Sequence, residues 1–368
     1  MAVSTQTNQP VVATSGHLTL TFIGGGYGES ILLDVGGSIL GVIDCCTPLF
    51  QRDRRFRRSN FLVDALARSP QARIAFVLLT HPHHDHYQGL AELLQTYSER
   101  VDRVVLFEGV TRTQLLRVLR EDAEAKLCSR TALAAFAHYE EVLRVWEQEI
   151  PAEAKIRAAD GTLIYEAAVA VRGRKNHIPL RIRALSPSPD DVDEFLGQTK
   201  VLSTLEGEGT RNPQNCNIVS VVLVVDFGET RVVLGADAHS RGWRQILSKN
   251  PDGALACDVF KVSHHGSREG NDFRLEGLAR PSSGATCAVV VPFVRERLPD
   301  QGVMNALRSA FDCVALSASD PVDMRPASRV ARAELPFVQN LRALPRFRSC
   351  AWQVTLDHTC RIIEQKPL

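Results

Sequence analysis

No CxxC pair occurs among the nine cysteines, which fall at positions 45, 46, 128, 216, 257, 287, 313, 350 and 360. Their odd number in a chain of 368 residues argues against a disulfide framework, and Cys257 and Cys287, set in apolar runs, read as buried thiols. Missing as well is any window approaching the roughly 18 uninterrupted apolar residues of a membrane span. The opening MAVSTQTNQPVVATSG has neither the cationic start nor the apolar core of a secretory signal. The expectation is a cytoplasmic protein with no membrane partner. A dominant charge is absent too: 43 Lys plus Arg face 42 Asp plus Glu. No bulk field therefore draws the chain to nucleic acid or anionic lipid, and any such contact must be local.

With 44% hydrophobic and 23% charged residues, the chain can bury one large core or two modest ones. One dense cationic cluster stands out in QRDRRFRRSN, where Arg52, Arg54, Arg55, Arg57 and Arg58 bracket Phe56. Its plain reading is a solvated loop or helix face; its functional reading is a grip on phosphate.

Apolar runs separated by glycine-rich turns predict a meander over HLTLTFIGGGYGESILLDVGGSILGVIDCC. Buried strands are expected at ARIAFVLLT and RVVLF. Between Thr111 and Ile150 helical spacing takes over, with Leu133, Phe136, Leu143, Trp146 and Ile150 on one stripe and His138 off it, toward solvent. Strands resume at GTLIYE and PLRIRAL. The Pro/Ser/Asp-rich SPSPDDVDEF and the following TLEGEGTRNPQN read as a long surface loop. NIVSVVLVVDFGETRVVLGADA reads as a hairpin turning at Gly228 and Glu229. ACDVFKVSHHGS and ATCAVVVPFV add two strands, 301–311 a helix, and WQVTLDHTCRIIEQ a last strand. The succession suggests two pseudo-equivalent αβ halves around one sandwich.

The chemistry concentrates in LLTHPHHDHYQGL. His81, His83, Asp85 and His86 form HxHxDH directly behind a strand, where a turn can converge them on two adjacent metal positions, His81 with His83 and Asp85 with His86. Imidazole nitrogen and carboxylate oxygen suit Zn²⁺ and its first-row neighbours. Two ions need further ligands from later strand ends. Asp237 in VVLGADAHS can bridge both, and His264 and His265 end FKVSHHGS. His239 reads as a supporting or surface histidine, and Lys261 as a residue that either approaches the pocket or snorkels.

These motifs in this order resemble the metallo-β-lactamase superfamily, and within it the hydrolase domain of ComEC-type DNA-uptake proteins. GGYGES stands for a VGQGDA-like turn, IDCC at Ile43 to Cys46 for IDTG, Asn217 and Ser220 for N-x-x-S, GAD ending on Asp237 for GD, and HHGS is intact from His264 to Ser267. The resemblance runs with gaps from about His17 to about Leu316. It implies an α/β fold, the αββα sandwich, with residues 1–16 a flexible tail and 17–368 one hydrolase domain carrying a helical insertion around 111–158.

It also implies a binuclear metal-dependent hydrolase in which water, not a side chain, is the nucleophile. The expected metal ligands are His81, His83, Asp85, His86, Asp237 and, between the two final histidines, His264. Asp85 also orients the water, while His265 and Ser267 assist at substrate oxygens or the leaving group. Asn217 with Arg54, Arg55, Arg57 and Arg58 is expected to hold a phosphodiester substrate, nucleic acid or nucleotide. Two Zn²⁺ per chain are expected, with Mn²⁺ as a substitute. A small-molecule ester, thioester or lactone hydrolase is the alternative on the same fold, and a metal-stabilised scaffold is the alternative outside catalysis. The chain departs from the pattern in three places. No histidine other than His138 or His177 stands between the HxHxDH motif and Asp237. Leu298 in RLPD occupies the place of a GHP histidine. Cys46 replaces a glycine.

Overall fold

Strict alternation along the strands sorts side chains between two buried layers. Leu223, Val225 and Phe227 share one buried cluster with Leu20, Leu33 and Val42. Val222, Val224 and Val233 instead join Trp243, Ile246, Val303 and Leu307. Such a division requires two stacked sheets with helices outside. A computed structural model has this arrangement; it describes residues 11–24, 28–46, 61–108, 130–173, 175–204, 216–272, 275–279, 285–293, 296–317, 351–359 and 362–367.

The strands are β1 (Val11–Ala13), β2 (His17–Ile23), β3 (Ser30–Val35), β4 (Ile39–Ile43), β5 (Arg73–Leu79), β6 (Val104–Phe107), β7 (Lys155–Ala158), β8 (Leu163–Val171), β9 (Ile178–Ala184), β10 (Leu223–Phe227), β11 (Thr230–Leu234), β12 (Val259–Lys261), β13 (Cys287–Val290), β14 (Cys313–Leu316), β15 (Ala351–Asp357) and β16 (Ile362–Pro367). One eight-stranded sheet runs β1-β8-β9-β10-β11-β12-β13-β14 and the other β16-β15-β2-β3-β4-β5-β6-β7. The first includes the parallel run β11 to β14, and the second the parallel run β4 to β7. Parallel strands put several carboxyl ends at one edge, where ligand sites of α/β sheets collect. β5 is buried at every position after Arg73, which accounts for its unbroken apolar run.

Most elements lie where the residue pattern puts them, including the β10/β11 hairpin turning at Gly228, whose φ is 62°. His138 is exposed on the helix Arg130–Gln148, while Leu143 and Trp146 of the expected stripe are buried. Three differences are informative. Val11–Ala13, inside the expected tail, pairs in parallel with β8. The C-terminal strand is two strands, β15 and β16, and β15 also pairs with β2. SPSPDDVDEF, expected as loop, starts the helix Pro189–Thr204. Here Ser188 Oγ accepts the Asp191 N–H (3.2 Å) while Asp191 Oδ2 accepts the Ser188 N–H (3.1 Å). That is a reciprocal cap, with Pro189 at the first helical position where its missing N–H costs nothing. Residues that look like breakers are therefore a helix start. Among the described residues no helix is long and apolar enough to cross a membrane.

Ser188→Ala removes this cap and should lower the unfolding free energy by about 1 kcal/mol. Urea denaturation with identical midpoints for variant and parent would refute the assignment.

Candidate metal centre

Four strand-end loops build the site. β5 leads through Thr80 into His81, β4 ends beside it at Asp44, β11 runs into Gly235 to Asp237, and β12 into the HHGS loop. Backbone bonds zip them together: Asp44 N–H to Leu78 O (2.8 Å), Cys45 N–H to His86 O (2.7 Å), Glu29 N–H to Asp85 O (3.0 Å) and His264 N–H to Ala236 O (2.9 Å). The approach is close enough to dictate glycine at 28: a Cβ there would lie 2.3 Å from Cys46 Sγ and 2.4 Å from Asp85 O, and its φ is 151°. Asp44, Ala236, His264 and His265 all have positive φ without being glycine, at 57°, 43°, 44° and 53°. Left-handed backbone costs roughly 1–3 kcal/mol per such residue, so the surrounding contacts hold these turns against strain.

Side chains converge on Asp237. Its Oδ2 lies 3.5 Å from His86 Nε2, 3.8 Å from His81 Nε2, 3.8 Å from His265 Nε2 and 4.0 Å from His264 Nε2. His81 Nε2 is also 3.0 Å from His83 Nδ1. Asp85 Oδ2 is 3.2 Å from His265 Nε2 and 3.6 Å from His86 Nε2. The ligand atoms fall into overlapping groups, His81/His86/Asp237 and Asp85/His86/His265, each close enough for one ion.

The tautomers are set by the outer bonds. Thr80 Oγ1 donates to Asp44 Oδ2 (2.7 Å), so its contact with His81 Nδ1 (3.0 Å) has the ring donating. His86 Nδ1 donates to the same Asp44 oxygen at 2.7 Å, and His265 Nδ1 to Val291 O at 2.9 Å. The Nε2 atoms of His86 and His265 are turned on carboxylate oxygen, while that of His81 also meets His83 Nδ1. Acceptors turned on acceptors need a cation or a proton between them. His86 Nε2 and Asp237 Oδ1 are buried with no hydrogen-bond partner among the described residues. The donor set therefore fits a transition metal, with outer partners fixing ring orientation in the manner of carboxylate–histidine–metal relays.

Electrostatics agree. Burial and the neighbouring imidazoles hold His81 well below the ordinary histidine range, and burial pushes His83 down to about 4, so both are neutral lone-pair donors near pH 7. Burial alone would raise Asp237 and Asp85, but the facing histidines outweigh it and keep both ionised. His86 is the counterpart: burial disfavours its charge, yet Asp44, Asp237 and Asp85 together lift it above its usual value.

The two HHGS histidines part company. The sequence pattern favours His264 as ligand, whereas the left-handed turn sends His265 inward, 1% exposed, to Asp85 and His86. His264 stays at the rim, 15% exposed, stacked 5.0 Å from His239 and 3.4 Å from the Asn217 amide. Ser267 holds His264 Nδ1 at 2.9 Å and accepts the Gly270 N–H, capping the next turn. Asn217 also meets His239 Nε2 at 2.9 Å, beside a cleft of about 110 Å³ lined in part by Ser220 and Arg241. His138 stands apart, against His84, and His177 is exposed between β8 and β9. Around Leu298, Pro299 packs on Gly266 and Phe293 stacks on His265 at 4.9 Å. Arg52, Arg54, Arg55, Arg57 and Arg58 lie outside the described residues. The sequence pattern assigns no role to Asp44 or Glu29; their only signal is an acid inside each of the family-like turns.

A sequence model of the metallo-beta-lactamase superfamily matches residues 21–282. No curated protein matches the chain. Among solved structures, the metallo-beta-lactamase fold protein YhfI from Bacillus subtilis is similar, with 13% identity, 82% of this chain and 96% of that one covered, and a TM-score of 0.40. Zn²⁺-bound PqqB from Methylobacterium extorquens shares 10% identity over 81% of this chain and 97% of its own, with a TM-score of 0.37. Igni18, a metallo hydrolase from the archaeon Ignicoccus hospitalis, shares 12% over 86% and 91%, with a TM-score of 0.34.

Asp44→Asn keeps the shape but leaves Thr80 and His86 competing for a weaker acceptor. Metal affinity should fall about 10- to 100-fold, read by competition with a chromophoric chelator; unchanged affinity would remove Asp44 from the relay.

Proposed function

Because the chain belongs to the metallo-beta-lactamase superfamily, whose fold is hydrolytic and metal-dependent, we propose that it is a binuclear phosphodiesterase or nuclease of the ComEC-like type. The observation that carries the binuclear reading is Asp237, whose Oδ2 lies within 4.0 Å of four imidazole nitrogens drawn from two different loops. One carboxylate so placed could serve two ions, with His81 and His83 available to hold one and Asp85, His86 and His265 the other. Zn²⁺ suits the nitrogen-rich set. Mn²⁺ would suit the His81/His83 side, where one histidine fewer than in the family pattern would leave room for oxygen donors.

The chemistry that divalent cations would supply here is a water acidified toward neutral pH and a polarised scissile bond. The chain's own groups do the rest. Asp85, at 18% exposure the wettest carboxylate facing Asp237, orients the attacking water. His264, at the rim, and the buried Asn217, which lines the adjoining cleft, hold a substrate oxygen. The phosphodiester class is supported by Arg54, Arg55, Arg57 and Arg58, which come after the Asp44 turn in sequence; guanidinium groups suit the charge a phosphoryl centre develops.

Asp237→Ala should strip most metal from both positions, and His81→Ala should spare one in part, measured by elemental analysis. Unaltered stoichiometry in Asp237→Ala would remove the bridge. The substrate class is tested with bis(p-nitrophenyl) phosphate, short single-stranded DNA and RNA, cyclic dinucleotides and p-nitrophenyl acetate under Zn²⁺ and Mn²⁺. Phosphodiester turnover whose KM rises and whose salt dependence shrinks when the four arginines become alanine is the expected result. Turnover of the acetate alone would transfer the assignment to small esters.

A further inference from the structure

Behind the metal ligands lies a second layer of charge. β12 ends on Lys261, whose side chain is fully buried. Its Nζ is 2.6 Å from Glu29 Oε1, donates to Ala236 O at 3.0 Å, and lies 4.0 Å from Asp237 Oδ1. Glu29, itself 1% exposed, comes from the turn between β2 and β3. It looks back at the ligands, Oε2 standing 3.6 Å from His265 Nδ1 and Oε1 4.0 Å from His86 Nδ1. Glu29 with Asp237 and His265, and Glu29 with Asp44 and His86, are each spaced to share a cation. The cation standing among them is the lysine ammonium.

A buried ion pair is a poor way to stabilise a fold, because desolvation of both charges consumes most of their attraction and apolar isosteres do as well or better. The pair therefore needs another explanation, and the geometry of Asp237 supplies one. Its Oδ2 faces the four imidazoles, while Oδ1 turns inward toward Lys261 and has no hydrogen-bond partner among the described residues. We propose that Lys261, held by Glu29, is a positioning residue for Asp237. Its ammonium is a chain-borne cation that keeps Oδ1 turned inward, so that Oδ2 is presented to both groups of histidines, and it fills the acid-lined space behind them where a further metal ion would otherwise enter. The inference rests on the reading of Asp237 as the carboxylate joining two metal positions.

Glu29→Gln tests it with little change of shape. Deprived of its carboxylate, the ammonium should be drawn onto Asp237 and compete there. Zn²⁺ affinity, read by chelator competition, should fall about 10- to 100-fold, and the visible spectrum of the Co²⁺-loaded protein should shift. The double variant Glu29→Gln/Lys261→Met separates positioning from packing. It leaves no unpaired buried charge, so its melting temperature without metal should stay near that of the parent, while Zn²⁺ affinity and the Co²⁺ spectrum remain altered. Parental affinity and spectrum in the double variant would reduce the pair to a packing device and overturn the proposal. Should the double variant not fold, Glu29→Gln decides alone, unchanged affinity being the overturning result. Parental protein that binds no metal, or Asp237→Ala that keeps full stoichiometry, would instead defeat the metal-centre reading; metal loss in Asp237→Ala with Glu29→Gln unaffected would defeat only the role of Lys261.

Discussion

The carboxylate of Asp44 accepts three hydrogen bonds, from the Thr80 amide at 2.8 Å, the Thr80 hydroxyl at 2.7 Å and His86 Nδ1 at 2.7 Å. Through Thr80 it also sets the ring of His81. One buried anion thus determines which nitrogen of two histidines is bare. Without it, rings in an HxHxDH turn would be free to choose tautomer and rotamer, and candidate ligands close in sequence would not converge in space. The left-handed backbone of Asp44 belongs to the same constraint: the chain accepts strain at 44 so that its carboxylate can turn back across the end of β5.

From that anchor the site grows by alternation of charge. Asp44 faces His86, and His86 faces Asp85 and Asp237. Asp237 faces His265 and the neutral His81, and behind it Lys261 faces Glu29. Each buried charge has an opposite neighbour, which is what permits so many ionisable groups in one dry volume. The pattern also explains the contrast between the two HHGS histidines. His265 lies within the alternating array and gains charge stabilisation there from Asp237, Asp85 and Glu29. His264 lies at its edge, among polar groups that can meet a substrate.

Short-range features are the legible ones in the sequence. The HxHxDH run, the aspartate closing VVLGAD and the HHGS run each carry their chemistry within a few residues, and the apolar runs mark β2 to β6 and the β10/β11 hairpin. Asp44 and Glu29 are less visible because a single acid in a turn looks like any solvated acid until its partner arrives from a distant strand. Lys261 is ambiguous for the same reason: alternation along β12 gives a side-chain direction but not the glutamate waiting there. Ser188 and Pro189 mislead because breaker residues and cap residues are the same residues, distinguished only by whether the chain beyond them can sustain a helix. β1 and the docking of β15 on β2 depend on pairing with strands far away in sequence, where local propensity is silent.

The two sheets contribute unequal halves of the centre. His81, His83, Asp85, His86, Asp44 and Glu29 come from the strand ends of one sheet, and Asp237, His264, His265 and Lys261 from those of the other. The groups His81/His86/Asp237 and Asp85/His86/His265 each draw on both halves. A cation held between them is therefore a rivet through the sandwich, and its retention reports that the two layers have docked in register. A centre so divided is complete only where the two layers meet, so its affinity for a cation and the docking of the layers are thermodynamically linked.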